Sequence, residues 1–170
     1  HAGNHATLGS FLDNHQTDGI CVLHRGHIIM EHYRNDLRAH RPHILMSVSK
    51  SITALVIGNL VDRGLIDPAE GIMHLIPEAK GSAFEDCTLQ HMLDMTVGVD
   101  FTEDYLADAG LITQYREVSG WKPPSDPKNL GDLRSWMCGL KKKGEHGAEF
   151  HYVSPCTDML GWVIERVTGK

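Results

Sequence analysis

The sequence predicts an α+β fold in which one β-hairpin precedes a mostly helical region. Two runs rich in Ile and Val flank Arg25-Gly26 within residues 19–33, the pattern of a hairpin closed by a tight glycine turn. Beyond residue 46, apolar residues recur at helical spacing. Because a two-stranded hairpin is only marginally stable, we expect further strands to complete the sheet in a longer protein.

The first elements follow in a simple order. A short helix is expected over residues 7–16, before the hairpin, and a polar connector over residues 35–44, after it. A long helix then starts at Ser47 and ends near Gly64, which is placed as a C-terminal cap. Residues 52–61 are apolar almost all round, so this helix is predicted to be buried on every side.

The rest of the chain is predicted to be helices around one long loop. Helical spacing extends over residues 88–95, and residues 129–140 and 155–167 are predicted as two further helices. Residues 98–129 show little regular pattern, apart from a helical piece expected near 110–118. Loops of this length inside a domain usually serve a function.

Composition and charge argue against several classes of function. The 170 residues are 41% hydrophobic and carry a formal net charge of −6, which is typical of a globular domain and a poor match to nucleic-acid binding. No segment is long and apolar enough to span a membrane. We expect no metal or other cofactor, because the histidines and cysteines form no zinc motif.

Cysteine usage and the start of the chain bear on the compartment. The four cysteines are far apart and are predicted to be buried thiols in a reducing compartment. No signal peptide opens the chain, so a cytoplasmic location is expected. The start at His1, without an initiator Met, indicates a cut end, and a lost leader would place the protein in the periplasm instead. The sequence does not determine the oligomeric state.

The segment Ser47-Val48-Ser49-Lys50 predicts chemistry most directly. One helical turn separates Ser47 from Lys50, so both side chains fall on one face of the predicted helix. Free backbone N–H groups and the positive end of the helix dipole favour a developing oxyanion there. The arrangement suits a serine nucleophile activated by a lysine. The alternative is a serine that caps the helix, followed by a solvated lysine.

Tyr152 is the second candidate for proton transfer. A phenolate or an uncharged lysine can accept the proton of a serine, and burial among other cations favours both forms. The alternative is a tyrosine whose ring packs in the core and whose hydroxyl has a single partner.

Together, these motifs resemble the serine β-lactamase and penicillin-binding-protein superfamily. Within it, the chain is similar to the class C β-lactamase-like esterases and the 6-aminohexanoate-dimer (nylon-oligomer) hydrolases. The resemblance extends from about Asp18 to Lys170 and is carried by residues 41–52, 60–68 and 89–101 and by the segment around Tyr152.

The resemblance implies a β-lactamase/transpeptidase-like fold, with an antiparallel sheet flanked by helices and a mostly helical region. It also implies a serine hydrolase that forms an acyl-enzyme on a small-molecule amide or ester, with Ser47 as nucleophile and Lys50 and Tyr152 sharing the proton transfers. The Ser47 N–H would supply half of an oxyanion hole. Tyr105 and Ser154 would bind the substrate, although Tyr105 could equally be a surface aromatic residue in a loop.

Departures from the family pattern keep alternatives open. The third motif, Lys-Thr-Gly or a variant on a late strand, is absent, so residues 1–170 are expected to be the N-terminal portion of one hydrolase domain. The usual Tyr-x-Asn appears as Tyr152-Val153-Ser154, which argues against efficient penicillin hydrolysis. The alternatives are a β-lactamase or D,D-peptidase, and a non-catalytic fragment or penicillin-recognising module.

Overall fold

The computed structural model describes residues 7–126 and 131–170 and confirms the α+β fold. The chain divides into two compact units, residues 1–46 and 47–170. The described elements of the first unit are helix α1 (Leu8–Asn14) and strands β1 (Gly19–His24) and β2 (His27–Tyr33). Those of the second are helices α2 (Val48–Asp62), α3 (Leu89–Leu93), α4 (Leu111–Val118), α5 (Leu133–Gly139) and α6 (Ser154–Thr168), with two 3₁₀ turns at Ile72–His74 and Pro77–Ala79.

The first unit contains the predicted hairpin. β1 and β2 pair antiparallel from Gly19 opposite Tyr33 to His24 opposite His27. Arg25 and Gly26 form the turn with φ angles of +49° and +80°, the pair of positive values that a type I′ hairpin turn requires. A glycine at the second position adopts this conformation without steric cost, which is why this dipeptide marks the turn.

The helix that follows the serine motif has the predicted length but not the predicted burial. α2 ends near Gly64, whose N–H donates to the Val61 carbonyl (2.8 Å). Only Ile57 and Leu60 of this helix are buried. The prediction of burial on every side was therefore wrong for the chain described here.

The physical reason is that α2 meets the core of its unit along one face. Most of its other apolar side chains are exposed, including Val48, Ile52, Leu55 and Val56, while Val61 is half-buried. A helix that is apolar on all sides is suited to a buried position, but its sequence does not identify the segments that would pack against each face.

The core of the second unit is centred on α6. This helix packs against α2, α3 and α5, and its buried residues are Ser154, Pro155, Cys156, Met159, Leu160, Trp162 and Val163. The helices predicted near 110–118 and over 155–167 are confirmed as α4 and α6. The helix predicted over 129–140 is observed as α5, capped by the Asp132 side chain, whereas residues 129 and 130 lie outside the described residues.

The segment that leads to Tyr152 is held against the residues that follow α3. His151 donates its N–H to the Met95 carbonyl (2.7 Å), and Gly98 lies so close to the facing chain that an added Cβ would be 2.6 Å from the Gly144 carbonyl oxygen. Further backbone bonds join Gly147 to Thr96, Lys143 to Gly98 and Asp100 to Lys141.

The cysteines are free thiols, and their burial is mixed. Cys87 and Cys156 are buried, and burial raises the pKa of the Cys87 thiol to about 12. Cys21 is exposed, so the prediction of a buried thiol was wrong there. Cys21 lies in β1 of a two-stranded sheet. An apolar strand sequence does not by itself ensure that another element packs over that face of the sheet.

Candidate active site

Ser47 occupies the position directly before the first residue of α2. Its backbone is helical (φ −68°, ψ −9°), and its side chain makes no capping hydrogen bond to the helix. The preceding residue, Met46, has a φ of +47°, which is uncommon for a residue with a side chain. A sharp turn thus leads directly into the helix, and the Ser47 hydroxyl is not used as a helix cap.

Lys50 and Tyr152 both lie within hydrogen-bond distance of the Ser47 hydroxyl. Lys50 Nζ is 3.0 Å from Ser47 Oγ, and the Tyr152 hydroxyl is 2.7 Å from the same atom. Lys50 Nζ also lies 5.3 Å from the centre of the Tyr152 ring. The first contact follows from helical spacing, whereas the second joins α2 to the chain just before α6.

This arrangement allows proton transfer at the serine oxygen. A neutral lysine amine or a tyrosine phenolate at these distances can accept the serine proton. An ammonium and a phenol at the same positions can donate hydrogen bonds to the oxygen once it has lost that proton.

Glu103 binds Ser154, two residues after Tyr152, and was not identified from the sequence. Its Oε1 accepts hydrogen bonds from the Ser154 hydroxyl (2.6 Å) and the Tyr105 hydroxyl (3.0 Å), and its Oε2 accepts one from the Ser154 N–H (2.8 Å). Partial burial, the hydrogen bond to Glu103 and the charge of Glu103 together raise the pKa of Tyr105 to about 12. The only signal in the sequence was an acidic residue two positions before Tyr105.

The two residues predicted to bind substrate have different surroundings. Tyr105 is 62% exposed, which suits a substrate contact and a surface aromatic residue equally. Ser154 is only 8% exposed, and both its hydroxyl proton and its N–H are donated to Glu103. Substrate contact by either residue stays a prediction.

A second acid, Asp158, follows one helical turn after Ser154 on α6. The buried Tyr115 donates its hydroxyl to Asp158 Oδ2 (2.6 Å). Burial raises the pKa of Asp158, while the hydrogen bond from Tyr115 and the positive charge of Lys50 oppose that change. Burial, followed by the charge of Asp158, raises the pKa of Tyr115. The sequence did not single out this pair.

Two further observations concern ligands and membranes. Within residues 7–126 and 131–170, no group of three or more His, Cys, Asp or Glu side chains is placed to hold a metal ion. In the same ranges, no helix is both long enough and apolar enough to cross a membrane.

The α+β fold, with the Ser47–Lys50 pair at the start of a helix and Tyr152 against the same oxygen, defines a β-lactamase-like protein. The family model described as Beta-lactamase matches residues 6–170. The chain belongs to this family.

Two relatives make the similarity more specific. The chain is 37% identical over 153 residues to the 6-aminohexanoate-dimer hydrolase of Paenarthrobacter ureafaciens. It also matches, with a TM-score of 0.84 and 30% identity, a solved structure from Bacillus anthracis that carries the provisional name 6-aminohexanoate-dimer hydrolase.

Both relatives are longer proteins. The sequence match takes in 90% of this chain and 38% of the Paenarthrobacter enzyme. The structural match takes in 100% of this chain and 45% of the Bacillus protein. The chain thus spans less than half the length of either relative.

Proposed function

We propose that the protein is a serine hydrolase that forms an acyl-enzyme on small amides or esters, of the 6-aminohexanoate-dimer hydrolase type. The observation that carries the proposal is that Lys50 Nζ and the Tyr152 hydroxyl both lie within 3.0 Å of Ser47 Oγ. The similarity to a hydrolase named for an amide substrate favours amides as the substrate class.

Acylation would start with attack of Ser47 Oγ on the substrate carbonyl carbon. The serine proton passes to the Lys50–Tyr152 pair as the C–O bond forms. The negative charge that develops on the carbonyl oxygen is stabilised by the Ser47 N–H at the start of α2. The intermediate collapses when the bond to the leaving group breaks and the same pair returns the proton to the departing amine or alcohol.

Deacylation would repeat these steps with water as the nucleophile and Ser47 as the leaving group. Water attacks the ester carbonyl of the acyl-enzyme while the Lys50–Tyr152 pair accepts its proton. The carboxylic acid product leaves, and the proton returns to Ser47 Oγ. A single backbone N–H is half of an oxyanion hole, and we expect the second donor to come from a strand outside residues 1–170, as the family resemblance implies.

The residue at position 154 argues against the β-lactamase and D,D-peptidase alternative. The asparagine usual after the tyrosine is replaced here by Ser154, whose two donors are both taken up by Glu103. We therefore expect a penicillin to be hydrolysed far more slowly than an amide or ester of similar size. Cleavage of a penicillin as fast as 6-aminohexanoate dimer would contradict this expectation and favour the alternative.

Labelling of the full-length gene product with a fluorophosphonate tests the nucleophile. We expect one adduct, located by peptide mass spectrometry on Ser47, since an activated serine attacks phosphorus as it attacks a carbonyl carbon. Ser47→Ala should abolish both this labelling and the turnover of 6-aminohexanoate dimer while the circular dichroism spectrum is unchanged.

Ser51→Ala is the matched control, because it removes a hydroxyl from the exposed surface of the same helix. This variant should be labelled at the normal rate. Labelling that persists in Ser47→Ala would reject Ser47 as the nucleophile. An unlabelled wild-type protein would reject the serine hydrolase, and the non-catalytic alternative would then take its place.

A further inference from the structure

Helix α6 begins without a capping side chain of its own. Val153 occupies the N-cap position, and a valine side chain cannot accept a hydrogen bond from the free N–H groups of the first turn. Glu103 supplies this acceptor from a distant part of the chain, since its Oε2 accepts the N–H of Ser154 (2.8 Å). A carboxylate at this end is also favoured by the dipole of a 15-residue helix.

The same carboxylate holds the Ser154 side chain. The Ser154 hydroxyl donates to Glu103 Oε1 (2.6 Å), so both donors of this residue end on one acidic group. Ser154 is 8% exposed and Val153 is fully buried, which leaves the start of α6 little room to shift while the contact exists.

Tyr152 immediately precedes this anchored pair. The residue is 36% exposed, so packing alone holds it only in part. On its N-terminal side, the backbone is fixed by the bond from the His151 N–H to the Met95 carbonyl. On its C-terminal side, the contact of Ser154 with Glu103 ties the chain to a distant segment two residues after Tyr152.

We propose that Glu103 is a positioning residue of this hydrolase, which caps α6 and binds Ser154 and thereby holds the Tyr152 hydroxyl against Ser47 Oγ. This inference rests on the proposed function. It assigns Ser154 the role of a link between Glu103 and the catalytic tyrosine. Glu103 itself does not touch the reacting atoms, and its effect passes through Tyr152.

The expected size of the effect follows from the geometry. Loss of the carboxylate leaves two donors of a buried residue without their acceptor, so the start of α6 must shift or admit water. A misplacement of about 1 Å in a catalytic group can cost roughly 10²-fold in rate. Glutamine has the shape of glutamate but only one acceptor oxygen, and it lacks the charge that the helix dipole favours.

The test is a double-mutant cycle on the full-length protein, with the rate of Ser47 labelling by a fluorophosphonate as the readout. Glu103→Gln should lower this rate by about 10- to 100-fold in the wild-type background. In the Tyr152→Phe background, it should change the rate by less than about threefold, because the group it positions is already absent. Glu149→Gln removes the same charge from an exposed site three residues before Tyr152 and should leave the rate unchanged.

A second variant and a second readout separate positioning from general destabilisation. Ser154→Ala keeps the backbone bond to Glu103 and should give a smaller loss of rate that also disappears in the Tyr152→Phe background. The thermal unfolding of each variant is measured alongside.

The outcomes are distinct. Equal losses in the two backgrounds, or an unchanged rate in Glu103→Gln, would overturn the positioning role while Ser47 labelling in the wild type still supported the hydrolase. A normal rate in Tyr152→Phe alone would remove the role of Tyr152 and this inference with it. An unlabelled wild-type serine would instead overturn the proposed function itself.

Discussion

Asp158 is a half-buried acidic residue of α6, the helix that packs against α2. Its one described hydrogen-bond partner is the hydroxyl of Tyr115, at 2.6 Å. Burial is the largest influence on this group and raises its pKa above the ordinary value. Because its pKa is raised, the carboxyl group binds its proton more tightly in the folded protein than in the unfolded chain, so its ionisation costs stability.

We expect Asp158→Asn to increase the stability of the protein at pH 7. Asparagine is of similar size, and its carbonyl oxygen can still accept a hydrogen bond from the Tyr115 hydroxyl, while the half-buried charge is removed. The gain should shrink as pH falls through the raised pKa of the folded state and vanish below about 3.9, the ordinary pKa of aspartate.

Urea unfolding at a series of pH values measures this effect. Asp108→Asn serves as the control, since it removes a charge from an exposed loop. A loss of stability at pH 7 in Asp158→Asn would mean that the attraction of the carboxylate to Lys50 and its bond from Tyr115 outweigh its burial.

At the scale of elements, two glycines in the second unit have opposite surroundings. Gly98 lies in the segment that pairs with residues 141–144, and an added Cβ there would be 2.6 Å from the Gly144 carbonyl oxygen and 2.9 Å from that of Lys143. Gly161 lies in the interior of α6, where an added Cβ meets nothing within 4 Å.

Substitution by alanine should therefore have opposite effects at the two positions. We expect Gly98→Ala to destabilise the protein by about 1–3 kcal/mol, because the obstructing atoms are backbone and can yield only if the two segments separate. Gly161→Ala should stabilise it by up to about 1 kcal/mol through higher helix propensity. Chemical denaturation of both variants tests the pair, and an unchanged midpoint for Gly98→Ala would contradict the close approach.

The predictions of the hairpin, α4 and α6 were confirmed. They could be made from the sequence because turn residues and apolar spacing are local properties. The burial of α2 was not predictable from its pattern, since the cover of each face is set by segments elsewhere in the chain. α3 is also shorter than its apolar spacing suggested, ending at Leu93 ahead of the turn at Met95, whose φ is +54°.

At the scale of the second unit, one charged cluster joins distant parts of the chain. Asp86 accepts hydrogen bonds from Lys142 Nζ (2.5 Å) and from His146 Nε2 (2.9 Å), and the Gly98 N–H donates to His146 Nδ1 (3.0 Å). The histidine side chain is 5% exposed. The cluster thus ties Asp86 to the segment that leads to Tyr152.

Acid should weaken this cluster. The hydrogen bonds from Lys142 and His146 lower the pKa of Asp86 to about 2. Since the folded-state pKa is below the unfolded value of about 3.9, the stabilisation is complete above that value and is lost as pH falls toward 2. Asp86 is an exposed group, so solvent screening keeps the effect modest.

The measurement is the difference in unfolding temperature between wild type and Asp86→Asn from pH 5 to pH 2. We expect wild type to unfold at a higher temperature than Asp86→Asn near pH 5. This difference in unfolding temperature should shrink as the pH falls to 2. A difference that stays constant over this range would show that the charge of Asp86 does not contribute.

The sequence by itself determined the order of the elements, the hairpin turn and the pairing of Ser47 with Lys50. These features depend on residues within a few positions of one another, where helix and turn geometry dictate which side chains meet. The sequence also offered Tyr152 as a second candidate for proton transfer, and the family resemblance supported it.

Only the tertiary structure decided that the Tyr152 hydroxyl lies 2.7 Å from Ser47 Oγ, that Glu103 caps α6 and that Tyr115 binds Asp158. Each of these contacts joins segments far apart in the chain, and no periodicity links the residues involved. They form because the packing of α6 against its neighbours brings the segments together, which is a property of the whole core and not of any local stretch of sequence.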